Sequence, residues 1–281
     1  MIFNKFFILF KIGRKIGKSN IINIVSETHK IPVFIKLFFN LLAFSFSSSN
    51  NTKSKGKENL SESIQEMGTT FIKLGQFLAT RPDIIGEKLS KELESLQDKL
   101  PPFSKKEAEK IIIENLGQSN FDDIIDLSEP IAAASIAQVH KAKIKEDNII
   151  KNVAIKVLRP NIKKIFNDEI DAIMLLAYIV ESLITKTKRL KLIEVVFLFK
   201  EITNHEMDLR FEAAAANEYA ENTKNDLGFF VPKIYWNFTS ESVLTLDWVD
   251  GVSIREKDLL KEKNIETSKI ATNLIQHFLR H

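Results

Sequence analysis

Apolar side chains recur at helical spacing over much of the chain. Between residues 60 and 78 they follow one another at intervals of three and four, which predicts one helix that ends before Pro82. The positions are Leu60, Ile64, Met67, Phe71, Leu74 and Leu78. Ser104 and Glu107 form the capping box of a further predicted helix, which Gly117 ends.

The pattern changes to that of strands after Pro130. The predicted elements are a β-turn-β unit at 131–144, a polar hairpin loop at 145–152, a strand at 153–158, helices at 161–185 and 190–222, and strands at 231–238 and 242–249. Five antiparallel strands among helices predict an α+β fold.

Charge is distributed unevenly along the chain. Residues 1–57 contain ten Lys or Arg and one Glu, while the remainder contains thirty basic and thirty-six acidic residues, which together give the formal net charge of +3. The acidic body argues against general nucleic-acid binding. The absence of cysteine excludes disulfides and thiolate metal sites.

The basic N-terminal segment, residues 1–46, alternates apolar clusters with lysines. Neither cluster approaches the roughly 20 residues that span a bilayer. Two interpretations remain open, an amphipathic segment at an anionic membrane surface or helices that pack on the body with their lysines outward. Residues 47–59, rich in Ser, Asn and Lys, predict a linker.

The candidate chemistry lies on the predicted strands. A small-residue turn at 131–139 precedes Lys156, which lies in the middle of an apolar strand. In kinase-like folds such a turn closes over ATP phosphates and the lysine contacts them. A carboxylate must position the lysine, and Glu206, Asp208 and Glu212 are the candidates. The lysine alone is weak evidence, because apolar strands often carry a solvated lysine.

A second candidate group lies on the first predicted helix, where Lys73 and Gln76 share a face. Gly75 costs about 1 kcal/mol relative to alanine inside a helix. Close backbone approach is the usual reason for such a glycine. The alternative is a solvated lysine and glutamine beside a tolerated glycine.

Taken in order, these motifs resemble the signatures of the UbiB family, the atypical protein-kinase-like ATPases also called the aarF-domain family. The motifs are Lys73-Leu-Gly-Gln76, Ala132–His140, Val153–Lys156, and Glu206–Asp208 with Glu212. The likeness covers about residues 60–281. It implies a helical extension at 60–128, a kinase-like N-lobe at 129–250, and the beginning of a C-lobe at 251–281.

The resemblance implies roles for these residues. Lys156 would contact phosphate with Glu212 as its ion-pair partner, and Asp247 and Val249 would lie at the adenine hinge. The alanine-rich loop would replace a glycine-rich loop and alter nucleotide preference. Its residues are Ile131, Ala132, Ala133, Ala134, Ser135, Ile136, Ala137, Gln138 and Val139.

The resemblance also favours a function for the first motif. The helix that bears Lys73, Gly75 and Gln76 would lie across the active site and block protein substrates. Glu206 and Asp208 would face that helix.

The implied function is ATP binding in support of ubiquinone (prenylquinone) biosynthesis, with ATP or ADP as the nucleotide. The implied location is the cytoplasmic face of a bacterial inner membrane, by peripheral association. The implied partners are the membrane surface and ubiquinone-biosynthesis proteins, with no nucleic acid.

The family's catalytic-loop Asp and Asn and its Asp-Phe-Gly turn have no counterpart in the 281 residues. Whether the chain is an enzyme therefore stays open, and we expect Mg²⁺ only with a C-terminal part, in the same chain or in a separate polypeptide. His277 and His281 are four apart, but two exposed histidines are a simpler interpretation than a metal pair, and no metal site is predicted.

Two alternatives remain. One is a non-catalytic nucleotide- or lipid-binding accessory protein, or a decayed gene fragment without the catalytic loop. The other, an aminoglycoside-type phosphotransferase, leaves the Lys73 and Gln76 helix unexplained.

Overall fold

The chain is described here by a computed structural model. The described residues are 2–18, 21–22, 37, 60–96, 100–183, 185–226 and 228–280. The predicted linker at 47–59 and most of the basic N-terminal segment lie outside them.

Helices occupy most of the described chain. They are α1 (Ile2–Lys18), α2 (Leu60–Met67), α3 (Thr69–Ala79), α4 (Pro82–Ile85), α5 (Glu87–Leu93), α6 (Lys105–Leu116), α7 (Gln118–Asp122), α8 (Ile162–Leu183), α9 (Leu192–Glu206), α10 (Leu209–Thr223), α11 (Lys257–Glu262) and α12 (Thr267–Arg280). Short 3₁₀-helices occupy Thr185–Leu190 and Trp236–Phe238. None of the described helices is long and apolar enough to cross a membrane.

The strands form one five-stranded antiparallel sheet, which confirms the α+β, kinase-like fold. They are β1 (Ile124–Ile125), β2 (Pro130–Ala133), β3 (Ala137–Glu146), β4 (Ile149–Leu158) and β5 (Val243–Asp247). The order is β1-β3-β4-β5, and β2 also pairs with β3. Strand β4 is therefore hydrogen-bonded on both sides.

The predicted strand at 231–238 is wrong. Only Ile234 bridges to β5, opposite Leu246, and the chain then turns into the 3₁₀-helix. The turn is held by the side chain of Thr239, whose hydroxyl donates to the carbonyl of Tyr235. The two-residue strand β1, which the sequence pattern did not indicate, is the fifth strand instead.

The predicted hairpin loop at 145–152 is also wrong. Strands β3 and β4 continue through it to a two-residue turn at Asp147 and Asn148. Both turn residues have positive φ, of 50° and 61°. Positive φ at both central positions is the geometry that joins antiparallel strands most tightly.

The helix predicted from residue 60 is two helices. Gly68 separates α2 from α3 with φ 105° and ψ −178°, a conformation open only to glycine. The predicted capping box of α6 is confirmed, with Ser104 accepting from the backbone of Glu107 and the Glu107 carboxylate accepting in return. Gly117 follows this helix, as predicted.

Contacts divide the chain into two compact units. One comprises residues 1–101, 133–136 and 161–205, and the other residues 102–132, 137–160 and 206–281. The domain boundaries expected from the sequence stay predictions.

Each unit has its own apolar core. In the first unit, Ile12 of α1 packs with Met67, Phe71 and Ala172, and leucines of α2 and α5 form a second cluster. In the second unit, α6 covers one face of the sheet through Ala108 and Ile112.

Candidate functional site

The alternation of β4 determines where Lys156 lies. Val153, Ile155 and Val157 are fully buried on one face of the sheet, so Lys156 lies on the other face. Its neighbours across the ladders are Val139 of β3 and Leu244 of β5. The lysine is thus fixed in the middle of a central strand.

Lys156 forms an ion pair with Glu212. Its ammonium nitrogen lies 2.7 Å from Glu212 Oε2 and 3.0 Å from Oε1, so both carboxylate oxygens accept. The side chain of Lys156 is 27% exposed and that of Glu212 is 49% exposed. The pair therefore joins the sheet to the first turn of α10 while leaving the ammonium accessible to a ligand.

The other two carboxylates considered for this role have different surroundings. Asp208 is the N-cap of α10, where its side chain accepts from the backbone N–H of Arg210 at 3.1 Å. It also accepts from the guanidinium of Arg210, at 2.6 and 2.9 Å. Glu206 is exposed at the end of α9. Glu212 is the carboxylate that meets Lys156.

The alanine-rich loop connects β2 to β3 through three residues, 134–136. Ile131 and Ala132 are exposed on β2, and Ala133 and Ala134 are half-buried. Ser135, Ile136 and Ala137 are buried, while Val139 is half-buried beside Lys156 in the β3–β4 register. The proposed nucleotide contacts of this loop stay predictions.

Gln138 has a side-chain role that the sequence did not indicate. Its amide oxygen accepts from the backbone N–H of Phe103 at 2.9 Å, and its amide nitrogen donates to the Phe103 carbonyl at 3.2 Å. The same nitrogen lies 2.9 Å from His140 Nε2. Gln138 is fully buried, backbone and side chain alike, and its expected contact with nucleotide stays a prediction.

His140 completes this network. Its Nδ1 lies 2.8 Å from the carbonyl of Ser128, which can only accept, so Nδ1 carries the proton and Nε2 accepts from Gln138. Burial lowers the pKa of His140, and a smaller opposing effect comes from its bond to Ser128. The imidazole is held in its neutral form. The available sequence signal was the alternation along β3, where Lys141, Lys143 and Lys145 share one face and His140 lies on the other.

The expected hinge residues lie at the end of β5, whose last residue is Asp247, and Val249 is two residues beyond it. Asp247 accepts from the hydroxyl of Tyr235 at 2.6 Å, and burial together with this bond raises the pKa of Tyr235. The backbone N–H of Trp248 donates to the carbonyl of Asn152, which ties the segment to β4. Val249 is 49% exposed. Their contact with adenine stays a prediction.

The structure gives Gly75 a packing role. A Cβ at this position would clash with Leu96 Cδ1 and would lie 3.4 Å from Ile64 Cγ2. The groups that approach Gly75 closely are thus side chains of the first unit, and no backbone atom is among its three nearest neighbours. Lys73 and Gln76 are half-buried on the same helix, and their regulatory role stays a prediction.

His277 is not the exposed histidine that was expected. It is 4% exposed, and its Nδ1 lies 2.9 Å from Asp226 Oδ2. Arg280 donates to the other oxygen of Asp226, and the ring of Phe229 lies 4.6 Å from the imidazole. These contacts attach α12 to the end of α10. Within the described residues, no group of three or more His, Asp or Glu could hold a metal ion.

A lysine on a central strand, paired with a carboxylate on a following helix, is the arrangement that kinase-like folds use at ATP phosphates. A family model for the ABC1 atypical kinase-like domain matches residues 95–281. The chain belongs to this family. The match includes Lys156, Glu212 and the alanine-rich loop.

Curated relatives confirm the resemblance to UbiB. Proteins named "Probable protein kinase UbiB" are 32% identical in Marinobacter nauticus, 32% in Cellvibrio japonicus and 29% in Pseudomonas aeruginosa, over 250, 249 and 272 residues. These alignments cover 89%, 88% and 96% of this chain, but 45%, 45% and 50% of the relatives. The chain spans about half the length of the curated relatives it matches.

Proposed function

We propose that this chain binds ATP through Lys156, as the N-terminal part of a UbiB-type kinase-like protein that supports ubiquinone biosynthesis at a membrane. The observation that carries the proposal is the ion pair between Lys156 and Glu212, at 2.7 and 3.0 Å. An ammonium group offers three N–H donors. With Glu212 orienting it and the side chain partly exposed, the group suits a phosphate oxygen.

The residues around the lysine fit this use. Val139, which is half-buried, lies opposite Lys156 and follows the alanine-rich loop. The part of this loop that is open to a ligand is its beginning, where Ile131 and Ala132 are exposed, whereas Ser135, Ile136 and Ala137 are buried. ADP is the second nucleotide that we expect to bind at the same lysine and loop. Mg²⁺ would need carboxylates from the family's C-terminal part, in this chain or in a separate polypeptide.

The membrane part of the proposal rests on the N-terminal residues. Phe7 is 67% exposed and Phe10 is 40% exposed on α1, next to the exposed Lys11. Apolar and basic side chains together suit the surface of an anionic bilayer. The proposed location is the cytoplasmic face of a bacterial inner membrane, and the proposed partners are ubiquinone-biosynthesis proteins. The relatives named UbiB are bacterial, which supports the bacterial part of this proposal.

A second candidate is a nucleotide-binding accessory without turnover. Both candidates use the same lysine to bind nucleotide.

Titration calorimetry with ATP on wild type and Lys156→Ala tests the proposal. We expect the variant to bind about 10- to 100-fold more weakly, because hydrogen bonds to a charged group contribute about 1.5–3 kcal/mol. Lys143→Ala is the matched control, since Lys143 lies on the neighbouring strand β3 and its substitution breaks a 2.7 Å ion pair with Asp126. Equal affinity of wild type and Lys156→Ala would refute the proposal.

A further inference from the structure

The first unit contains a cavity of about 400 Å³ that no proposed function uses. It lies between the segment that follows α3 and the corner that joins α8 to α9, and it involves none of the residues proposed for nucleotide. Cavities of roughly 300–1,000 Å³ are typical of small-molecule sites.

Three cations and two carboxylates line this cavity. Arg81 is held by Asp83 through two hydrogen bonds, of 2.8 and 2.9 Å, so its guanidinium is fixed in orientation and keeps three further N–H donors. Lys191 pairs with Glu194 at 3.0 Å. Among the described residues, no carboxylate forms an ion pair with Arg189. The lining therefore has one positive charge in excess.

The backbone at Lys191 is strained. Its φ is 50°, in the left-handed region, which costs a residue with a side chain roughly 1–2 kcal/mol. The corner is nevertheless fixed, because the Glu181 carboxylate of α8 accepts from the backbone N–H of Ile193 at 3.0 Å. A glycine would adopt this conformation without cost. The other described residues with side chains and positive φ are all Asp or Asn, so a lysine in this conformation is unusual.

The other part of the lining is apolar and continues along α9. Val195 and Leu198 line the cavity, and Ile202 lies one turn beyond Leu198 on the same helical face. Leu198 is 42% exposed and Ile202 is 41% exposed. An apolar stripe therefore leads from the charged lining to the surface of the helix.

We propose that this cavity binds the phosphate headgroup of an acidic membrane phospholipid. Arg189 and Lys191 would bind the phosphate oxygens, Arg81 would supply oriented N–H donors, and the stripe at Leu198 and Ile202 would contact the acyl chains. A soluble phosphate would satisfy the cations but not the stripe. The proposal is independent of nucleotide binding at Lys156.

The test is titration of the full chain with monomeric dihexanoyl-phosphatidylglycerol. A soluble short-chain lipid is used because the basic N-terminal segment would bind any anionic vesicle. The variants are Arg189→Gln and Lys191→Gly. Lys188→Gln is the control, since Lys188 is exposed on the same 3₁₀-helix but does not line the cavity.

We expect saturable binding that weakens about tenfold or more in each variant and is unchanged in the control. Lys191→Gly should keep or raise the melting temperature, because glycine relieves the strain at this φ. ATP affinity should be the same in all four proteins, so this proposal and the nucleotide proposal fail separately.

Other ligands define what would overturn the proposal. Inorganic phosphate and dihexanoyl-phosphatidylcholine should bind at least tenfold more weakly than the acidic lipid. Equal affinity for inorganic phosphate would overturn the lipid assignment. Equal weakening in Lys188→Gln, or no saturable binding by wild type, would overturn the site.

Discussion

His140 is a neutral imidazole inside the second unit, held between the Ser128 carbonyl and the Gln138 amide. Protonating the buried imidazole would place a positive charge away from water. It would also turn Nε2 from an acceptor into a donor that faces the N–H of the Gln138 amide. Burial is the main reason that its pKa is lowered, and the nearby charges of Glu129, Lys105 and Glu109 act less strongly.

We predict that His140 makes folding sensitive to acid. Below about pH 6.5 the unfolded chain binds a proton that the folded chain does not, so the free energy of unfolding falls as pH falls, by at most about 1.4 kcal/mol per unit. Urea unfolding across this range measures the slope. His140→Gln should have a shallower slope, and identical slopes would contradict the prediction.

Gly75 gives a second prediction, in which the effect of Gly75→Ala on the free energy of unfolding changes sign when Leu96 is also substituted. Gly75→Ala should destabilise wild type by about 1–3 kcal/mol, because the new methyl group overlaps Leu96. In a Leu96→Ala background the overlap is gone, and the same change should be neutral or stabilise by up to about 1 kcal/mol through helix propensity. Chemical unfolding of the four proteins measures both effects. The same loss in both backgrounds would mean that Leu96 is not the cause.

At the scale of elements, the sequence correctly predicted those features that depend on only a few neighbouring residues. The capping box of α6 is an example, because Ser104 and Glu107 satisfy each other. The β3–β4 hairpin was missed because residues 149–152 are exposed and lack the alternation of a buried strand. The dipeptide Asp147-Asn148, which tolerates positive φ, was the available signal.

The break between α2 and α3 was missed for a different reason. The apolar stripe continues from Met67 to Phe71, so periodicity does not mark Gly68. We predict that Gly68→Ala costs about 1–3 kcal/mol, since φ 105° with ψ −178° excludes a side chain. The nearest atom to the new methyl group would be 3.9 Å away, so the cost is conformational rather than steric.

Gly251→Ala is the control for this prediction. Gly251 does not have positive φ, and no atom lies within 4 Å of a Cβ built there. We expect Gly251→Ala to leave the free energy of unfolding almost unchanged. Equal effects of the two substitutions on urea unfolding would show that the conformation of Gly68 does not matter.

At the scale of the whole molecule, the α+β class followed from the pattern, but the site did not. Lys156 and Glu212 are 56 residues apart, and no periodicity selects Glu212 over Glu206 or Asp208. The family resemblance made that choice, and the structure places the two side chains together. The contacts of His277 and Tyr235 arise from tertiary packing, which no local pattern encodes.

The central claim is that Glu212 acts on nucleotide through Lys156. A double-mutant cycle in ATP affinity, measured by calorimetry on wild type, Lys156→Ala, Glu212→Ala and the double variant, tests it most directly. We predict that Glu212→Ala weakens ATP binding in wild type but has almost no further effect once Lys156 is alanine. Losses that add in the double variant would contradict the claim, and so would full ATP affinity in Lys156→Ala.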